Sequence, residues 1–153
     1  MISIVCQTGF DVEVDVPTLR GAKLNGMNLH RAILEGMDLS GAVFTDADLR
    51  GALLTGSTLK QSKFERASLM NAALTMANLE EAVLVDAKLI AADLSGANLR
   101  GADLCGADVG FANFKGADLR GANMTCSRLA DADFEGALVD GQTIFPDGFA
   151  PPK

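Results

Sequence analysis

The sequence predicts an all-β protein, a quadrilateral β-helix (β-solenoid) of about six to seven coils behind an N-terminal β-hairpin cap. Every fifth residue from Leu19 to Ile144 is apolar, 26 positions of which 18 are Leu and four are Phe: Phe44, Phe64, Phe114 and Phe134. A small residue stands two places before nearly all of them, Ala in 19 of the 24 cases between Ala22 and Ala137. A helix repeats its faces about every 3.6 residues and a strand about every 2, so a five-residue period requires a chain that turns a corner after each unit. Four units make one coil, and a unit can bury its large side chain only against its neighbours. Coils paired at the ~4.8 Å strand spacing give a rod roughly 31 Å long.

Composition narrows the function classes. The 153 residues suit one domain and include no Trp, no Tyr and one His, although 48% are hydrophobic. A net charge of -7 opposes direct binding to nucleic acid or to an anionic membrane surface. No stretch reaches the ~20 apolar residues of a spanning helix, and Met1 to Cys6 lack the pattern of a signal peptide. A cytoplasmic location is therefore expected. The odd count of Cys6, Cys105 and Cys126 argues against a disulfide framework. Three segments follow: a hairpin cap over 1–16, the coil over 17–146 and a tail over 147–153.

The units themselves carry a resemblance. Ala42-Val43-Phe44-Thr45-Asp46, Ala47-Asp48-Leu49-Arg50-Gly51, Ala97-Asn98-Leu99-Arg100-Gly101 and Ala117-Asp118-Leu119-Arg120-Gly121 match the A(D/N)LXX signature. The chain resembles the pentapeptide-repeat proteins over about residues 17 to 146. That resemblance implies a right-handed coil, a handedness that the period alone leaves open.

At the N-terminus, Ile2 and Ile4 alternate with Ser3 and Val5, Thr8-Gly9 interrupts, and Phe10, Val12, Val14 and Val16 alternate with Asp11, Glu13 and Asp15. This reads as a hairpin with one apolar face, suited to closing the open end of the coil. Within the coil, residues 20 apart stack, so Phe44/Phe64 and Phe114/Phe134 should form two aromatic ladders on opposite walls. Met27 and Met37 occupy small-residue places near the N-terminal end, where the coil must widen or the side chain must lean away. Gly ends 13 units, which suits corners of positive φ. Gln61, Arg66, Asn71, Met76, Glu81, Asp86 and Ala91 interrupt this habit, and a turn of negative φ is expected there. In the tail, Phe145 and Phe149 either fold over the last rung or meet their copies in an end-on homodimer.

The residues offer little for catalysis. His30 has no second histidine with which to build a metal site or a triad, and it reads as a solvated corner residue. Cys105 and Cys126, 21 apart, are placed at neighbouring outward positions; two free thiols are favoured over a bridge. Asp48, Asp93, Asp103, Asp108, Asp118 and Asp133 recur because the scaffold recurs, and a convex surface lacks the desolvated asymmetry that separates catalytic pKa values. No enzyme activity and no cofactor or metal are expected.

Recognition is left to the exterior. The resemblance brings one specific alternative, because some pentapeptide-repeat proteins bind DNA gyrase as acidic, duplex-like rods and confer fluoroquinolone resistance. Sorted by wall, the charges weaken it. The first wall, which holds Leu19 and Leu39, carries -1, the second (Leu24, Phe44) -1, the third (Leu29, Leu49) +1 and the fourth (Leu34, Leu54) -3. An interaction scaffold for an unidentified protein partner rests on outward apolar residues: Ile33, Leu53 and Ala73 on the fourth wall, Met70 and Ile90 at the corner leading into it, and a smaller group, Val43, Val83 and Val85, on the second. Contiguous apolar surface of this kind marks partner sites. Thr55 and Thr75 are too few for the regular threonine ladders of an ice-binding face.

The inward/outward assignment is testable on adjacent residues. Leu94→Asp should unfold the rod by burying an unpaired charge, whereas Ser95→Asp should be nearly silent. Thermal unfolding of the two variants checks this, and equal stability would refute it.

Overall fold

The dry axis follows from the large and small positions. In a computed structural model, which describes residues 1–151, every large position from Leu19 to Met124 is buried, as are nearly all the Ala positions beside them. The residue between the small and the large one faces outward and pairs in parallel with its equivalent 20 residues on, as in Asn28↔Asp48, Asp48↔Ser68 and Ser68↔Lys88. Each wall therefore contributes one bridged residue per rung, too little for an extended strand. Among the described residues, such strands occur only in the N-terminal hairpin, where β1 (Ile2–Ile4) pairs antiparallel with β2 (Val12–Val14). Pro152 and Lys153 of the tail lie outside the described residues.

Two sets of hydrogen bonds define each corner. The amide of the small residue donates to the carbonyl of the large residue three before it, closing a β-turn, as in Ala77 N to Leu74 O at 3.0 Å. The last residue of the unit donates upward to the next rung, as in Met76 N to Ser95 O at 2.9 Å. At Met27 and Met37 the turn-closing bond lengthens to 3.3 Å, so the larger side chain opens the corner. Ser57 and Ser62 are buried without cost to polarity, since their hydroxyls donate to the carbonyls of Leu54 and Leu59 at 2.7 and 2.6 Å.

This uniform corner overturns the expectation of negative φ. Gln61, Arg66, Asn71, Met76, Glu81, Asp86 and Ala91 all have φ between 55° and 58°, close to the 63–65° of Gly21, Gly56 and Gly96. A unit that changed its turn would forfeit its bonds to both neighbouring rungs. The ladder therefore imposes the left-handed conformation on residues that disfavour it, at about 1–2 kcal/mol each.

The aromatic ladders stand where the period places them. Phe44 stacks on Phe64 at 4.7 Å with planes 3° apart, and Phe114 on Phe134 at 5.1 Å and 2°. The C-terminal end departs from the five-residue code in two places. Asp108 pairs with Ser127, 19 residues on, and a 3-10 turn at Leu129–Asp131 restores the register before Asn113↔Asp133. Asn123 then pairs with Ile144, 21 residues on, so Ile144 faces outward at 54% exposure and Phe145 takes the place nearer the core.

Both ends are finished by breaking the parallel pattern. On the fourth wall the first rung pairs with residues 5–7 running the other way: Ile33 N donates to Val5 O at 2.8 Å and Gln7 N to Arg31 O at 3.0 Å. Ile4, Cys6 and Val14 join the core from below. At the top, Gly121 N donates not to a backbone carbonyl but to Asp140 Oδ1 at 3.0 Å, and the same oxygen accepts from the amides of Gln142 and Thr143. The backbone and side-chain bonds to this carboxylate hold its pKa below the ordinary aspartate range.

The corner strain predicts opposite signs at two members of one edge. A Cβ at Gly116 (φ +63°) meets nothing within 4 Å, so Gly116→Ala tests backbone conformation alone and should lower unfolding free energy by about 1 kcal/mol. Met76→Gly should leave stability unchanged or raise it. Denaturant unfolding of both variants supplies the comparison.

Candidate functional site

The outward carboxylates have a structural task. A side-chain oxygen of Asp48, Asp93, Asp103, Asp118 or Asp133 accepts the amide two residues on, at 3.0–3.2 Å, and so braces the corner that follows. Asp48 and Asp118 also hold Arg50 and Arg120 in two-pronged pairs, and these guanidinium bonds keep both carboxyls below the usual range. Further pairs climb between rungs, with Arg66 on Asp46 at 2.8 Å and Arg128 on Asp108 at 2.7 Å. Many surface charges are thus neutralised within the rod itself.

His30 lines an open groove with Cys6, Phe10 and Val12 beneath the hairpin. Among the described residues, no three His, Cys, Asp or Glu side chains converge as a metal site would require. The three cysteines are free. Cys105 is exposed as expected, but Cys126 is not its outward neighbour: the 19-residue spacing at Ser127 turns it inward, to 8% exposure. Burial pushes its thiol up to about 12, and its Sγ lies 3.3 Å from the Met124 carbonyl.

The apolar residues singled out in the sequence occupy the fourth wall and its entry. Ile33, Leu53 and Ala73 form one column through successive bridges, and Val5, 49% exposed, extends it below Ile33. Met70 and Ile90 follow one another at the entry corner, and all five residues are half-buried. The second-wall group is not continuous, because Lys63 is bridged between Val43 and Val83. Phe145 and Phe149 pack on their own chain, with ring centroids 6.4 and 5.9 Å from that of Phe134.

Two residues missed in the sequence complete the surface. Met76 ends the fourth wall on the third rung and Phe111 opens that wall on the fifth; each is 66% exposed with φ near 58°. The signal for Met76 was present, since every other member of its corner column is glycine: Gly36, Gly56, Gly96, Gly116 and Gly136. Gln61 and Arg66, also left-handed, gain polar bonds along their columns, to Glu81 at 2.7 Å and to Asp46 at 2.8 Å. Met76 and Phe111 instead hold bulky apolar groups in water on strained backbone, a pattern that points to function.

The fold and its surface define a β-helix of five-residue units whose distinguishing features are external. The family model "Pentapeptide repeats (8 copies)" matches residues 18–46, 47–84, 82–121 and 106–139. The chain belongs to the pentapeptide-repeat family. Among solved structures it is similar to the pentapeptide repeat protein Rfr23 from the cyanobacterium Cyanothece 51142, at 30% identity over 82% of this chain and 88% of that one, TM-score 0.46. It is also similar to a pentapeptide repeat protein of the Arabidopsis thaliana thylakoid lumen, at 30% identity over 70% and 68%, TM-score 0.38. The plasmid-mediated fluoroquinolone resistance protein QnrB1 is 16% identical over 84% and 88%, TM-score 0.38. No curated protein matches the chain. No helix among the described residues is long and apolar enough to cross a membrane.

Thiol chemistry checks the position of Cys126. At pH 8 an aromatic disulfide reagent should label Cys105 rapidly in the native protein, with Cys6 and Cys126 reacting only after denaturation. Cys105→Ser should abolish the fast phase. A fast phase that survives this substitution would put a second thiol at the surface.

Proposed function

We propose that this protein is a non-enzymatic, cytoplasmic interaction scaffold, a right-handed coil of six to seven turns under a hairpin cap whose fourth wall receives a protein partner. The observation that carries the reading is the stacked apolar column of Ile33, Leu53 and Ala73, flanked on its third rung by Met76, which the corner holds against backbone preference. Phe111, held the same way, stands on the same wall two rungs higher. In a rod whose interior is filled, the exterior is what remains for recognition. The gyrase alternative gains nothing from the surface: ion pairs such as Lys60–Glu80 at 3.1 Å and Arg20–Asp38 at 3.4 Å interrupt the acidity that a phosphate mimic needs. An end-on homodimer through Phe145 and Phe149 would have to share rings already packed on Phe134.

The test is affinity capture from the native cells with wild type, Leu53→Glu and Asn25→Glu, the last an exposed position on the second wall. A partner retained by wild type and Asn25→Glu but lost by Leu53→Glu, with all three equally folded by circular dichroism, supports the fourth wall. Identical capture by the three proteins sinks it.

A further inference from the structure

The chemistry of the fourth wall specifies its partner, and this inference rests on the reading of that wall as the docking face. Four carboxylates stand on it, those of Glu35, Asp93, Asp133 and Glu135, against one cation, Lys115. That lysine is already held by two of them, Asp133 at 3.3 Å and Glu135 at 2.8 Å. Glu35 and Asp93 have no ion pair among the described residues.

Their placement matters more than their number. Glu35 is two residues past Ile33 on the first rung, and Asp93 is bridged to Ala73 at the top of the apolar column. Asp93 is oriented by the Ser95 amide at 3.0 Å and by Asn113 Nδ2 at 3.1 Å, bonds that fix the carboxylate without neutralising it. Of the flanking corner charges, Arg31 stands at the entry edge of the first rung, on the other side of Ile33 from Glu35, and Asp131 lies five rungs above it. The unpaired carboxylates of Glu35 and Asp93 stand at the lower and upper ends of an apolar strip that Met76 borders on the third rung. From Val5 to Ala73 the strip crosses four strands, roughly 14 Å at the ~4.8 Å spacing, the length of about nine helical residues.

We propose that the fourth wall docks a basic amphipathic protein segment, with its apolar side on Leu53, Ala73 and Met76 and its lysines or arginines on Glu35 and Asp93. Apolar burial supplies the contact, and the carboxylates select against acidic segments and set the orientation. The convex wall offers a strip rather than a pocket, which suits a helical face better than an isolated side chain.

The experiment uses the full chain and two 18-residue helical peptides with the same leucine pattern, one with lysine and one with glutamate at every polar position, titrated by fluorescence anisotropy in 0.15 M salt. The Leu/Lys peptide should bind at least tenfold tighter than the Leu/Glu peptide. Leu53→Glu should weaken it at least fivefold although that variant adds a negative charge, whereas Asn25→Glu, which adds the same charge elsewhere, should not weaken it. Met76→Gly, at a corner suited to glycine, should weaken it at least threefold and guards against misfolding of Leu53→Glu.

Equal tightening by Leu53→Glu and Asn25→Glu would mean that charge alone binds the peptide, overturning the proposal. Equal binding of both peptides, lost in Leu53→Glu, would overturn the basic partner while leaving the docking wall. Failure of both peptides would overturn the partner chemistry alone if Leu53→Glu still loses its partner in the capture experiment, and the docking wall as well if it does not.

Discussion

Everything else in this molecule depends on the hydrogen-bonded register of 20 residues between successive rungs. The amide of each large residue donates to the outward residue of the next rung, as in Leu49 N to Ser68 O at 2.8 Å. The outward residue returns a bond to the small residue below, as in Asp48 N to Met27 O at 2.9 Å. Four such pairs per rung lock the period, and only then do the Leu and Ala side chains meet on a common dry axis. Hydrophobic burial supplies the driving force. The ladder decides where that force can act.

Because each rung is satisfied by its neighbours, a coil of this kind has no intrinsic end, and both termini must defeat its continuation. The N-terminal solution is reversal of direction: residues 5–7 lie antiparallel to the first rung of the fourth wall, so they pair with it without presenting another parallel template. The C-terminal solution is substitution. Asp140 offers one carboxylate oxygen where another rung would offer a carbonyl, and the amides of Gln142 and Thr143 wrap around it. Its depressed pKa is the electrostatic expression of the same contacts. This contribution is present above the unfolded-state pKa and is lost as pH falls through the lower folded value.

The period was legible because one physical requirement, inward burial every fifth residue, acts on every unit. The aromatic ladders and the outward column of Ile33, Leu53 and Ala73 follow from the same arithmetic. What escaped it was set by neighbours rather than by the unit. The left-handed corners at Met76 and Ala91 come from bonds to the rungs on either side, and their own residue types point the other way. Cys126 turned inward through a one-residue shortening at Ser127 that no apolar position betrays, since Leu129, the first residue of the 3-10 turn, remains buried. Ile144 kept the code but lost its place when the Asp140–Thr143 turn added a residue.

The strained corners also separate two kinds of deviation from the repeat. Arg66 and Gln61 depart from glycine but join polar bonds to the rungs beside them, so the scaffold recovers part of what the backbone loses. Met76 lays its thioether over Gly96, and Phe111 projects into solvent, yet both remain mostly exposed. Glycine at either corner would relieve the strain without altering the core, as five glycines in the Met76 column demonstrate. Met76 and Phe111 lie on opposite edges of the fourth wall, two rungs apart, and the docking face proposed there gives Met76 a role that the fold does not.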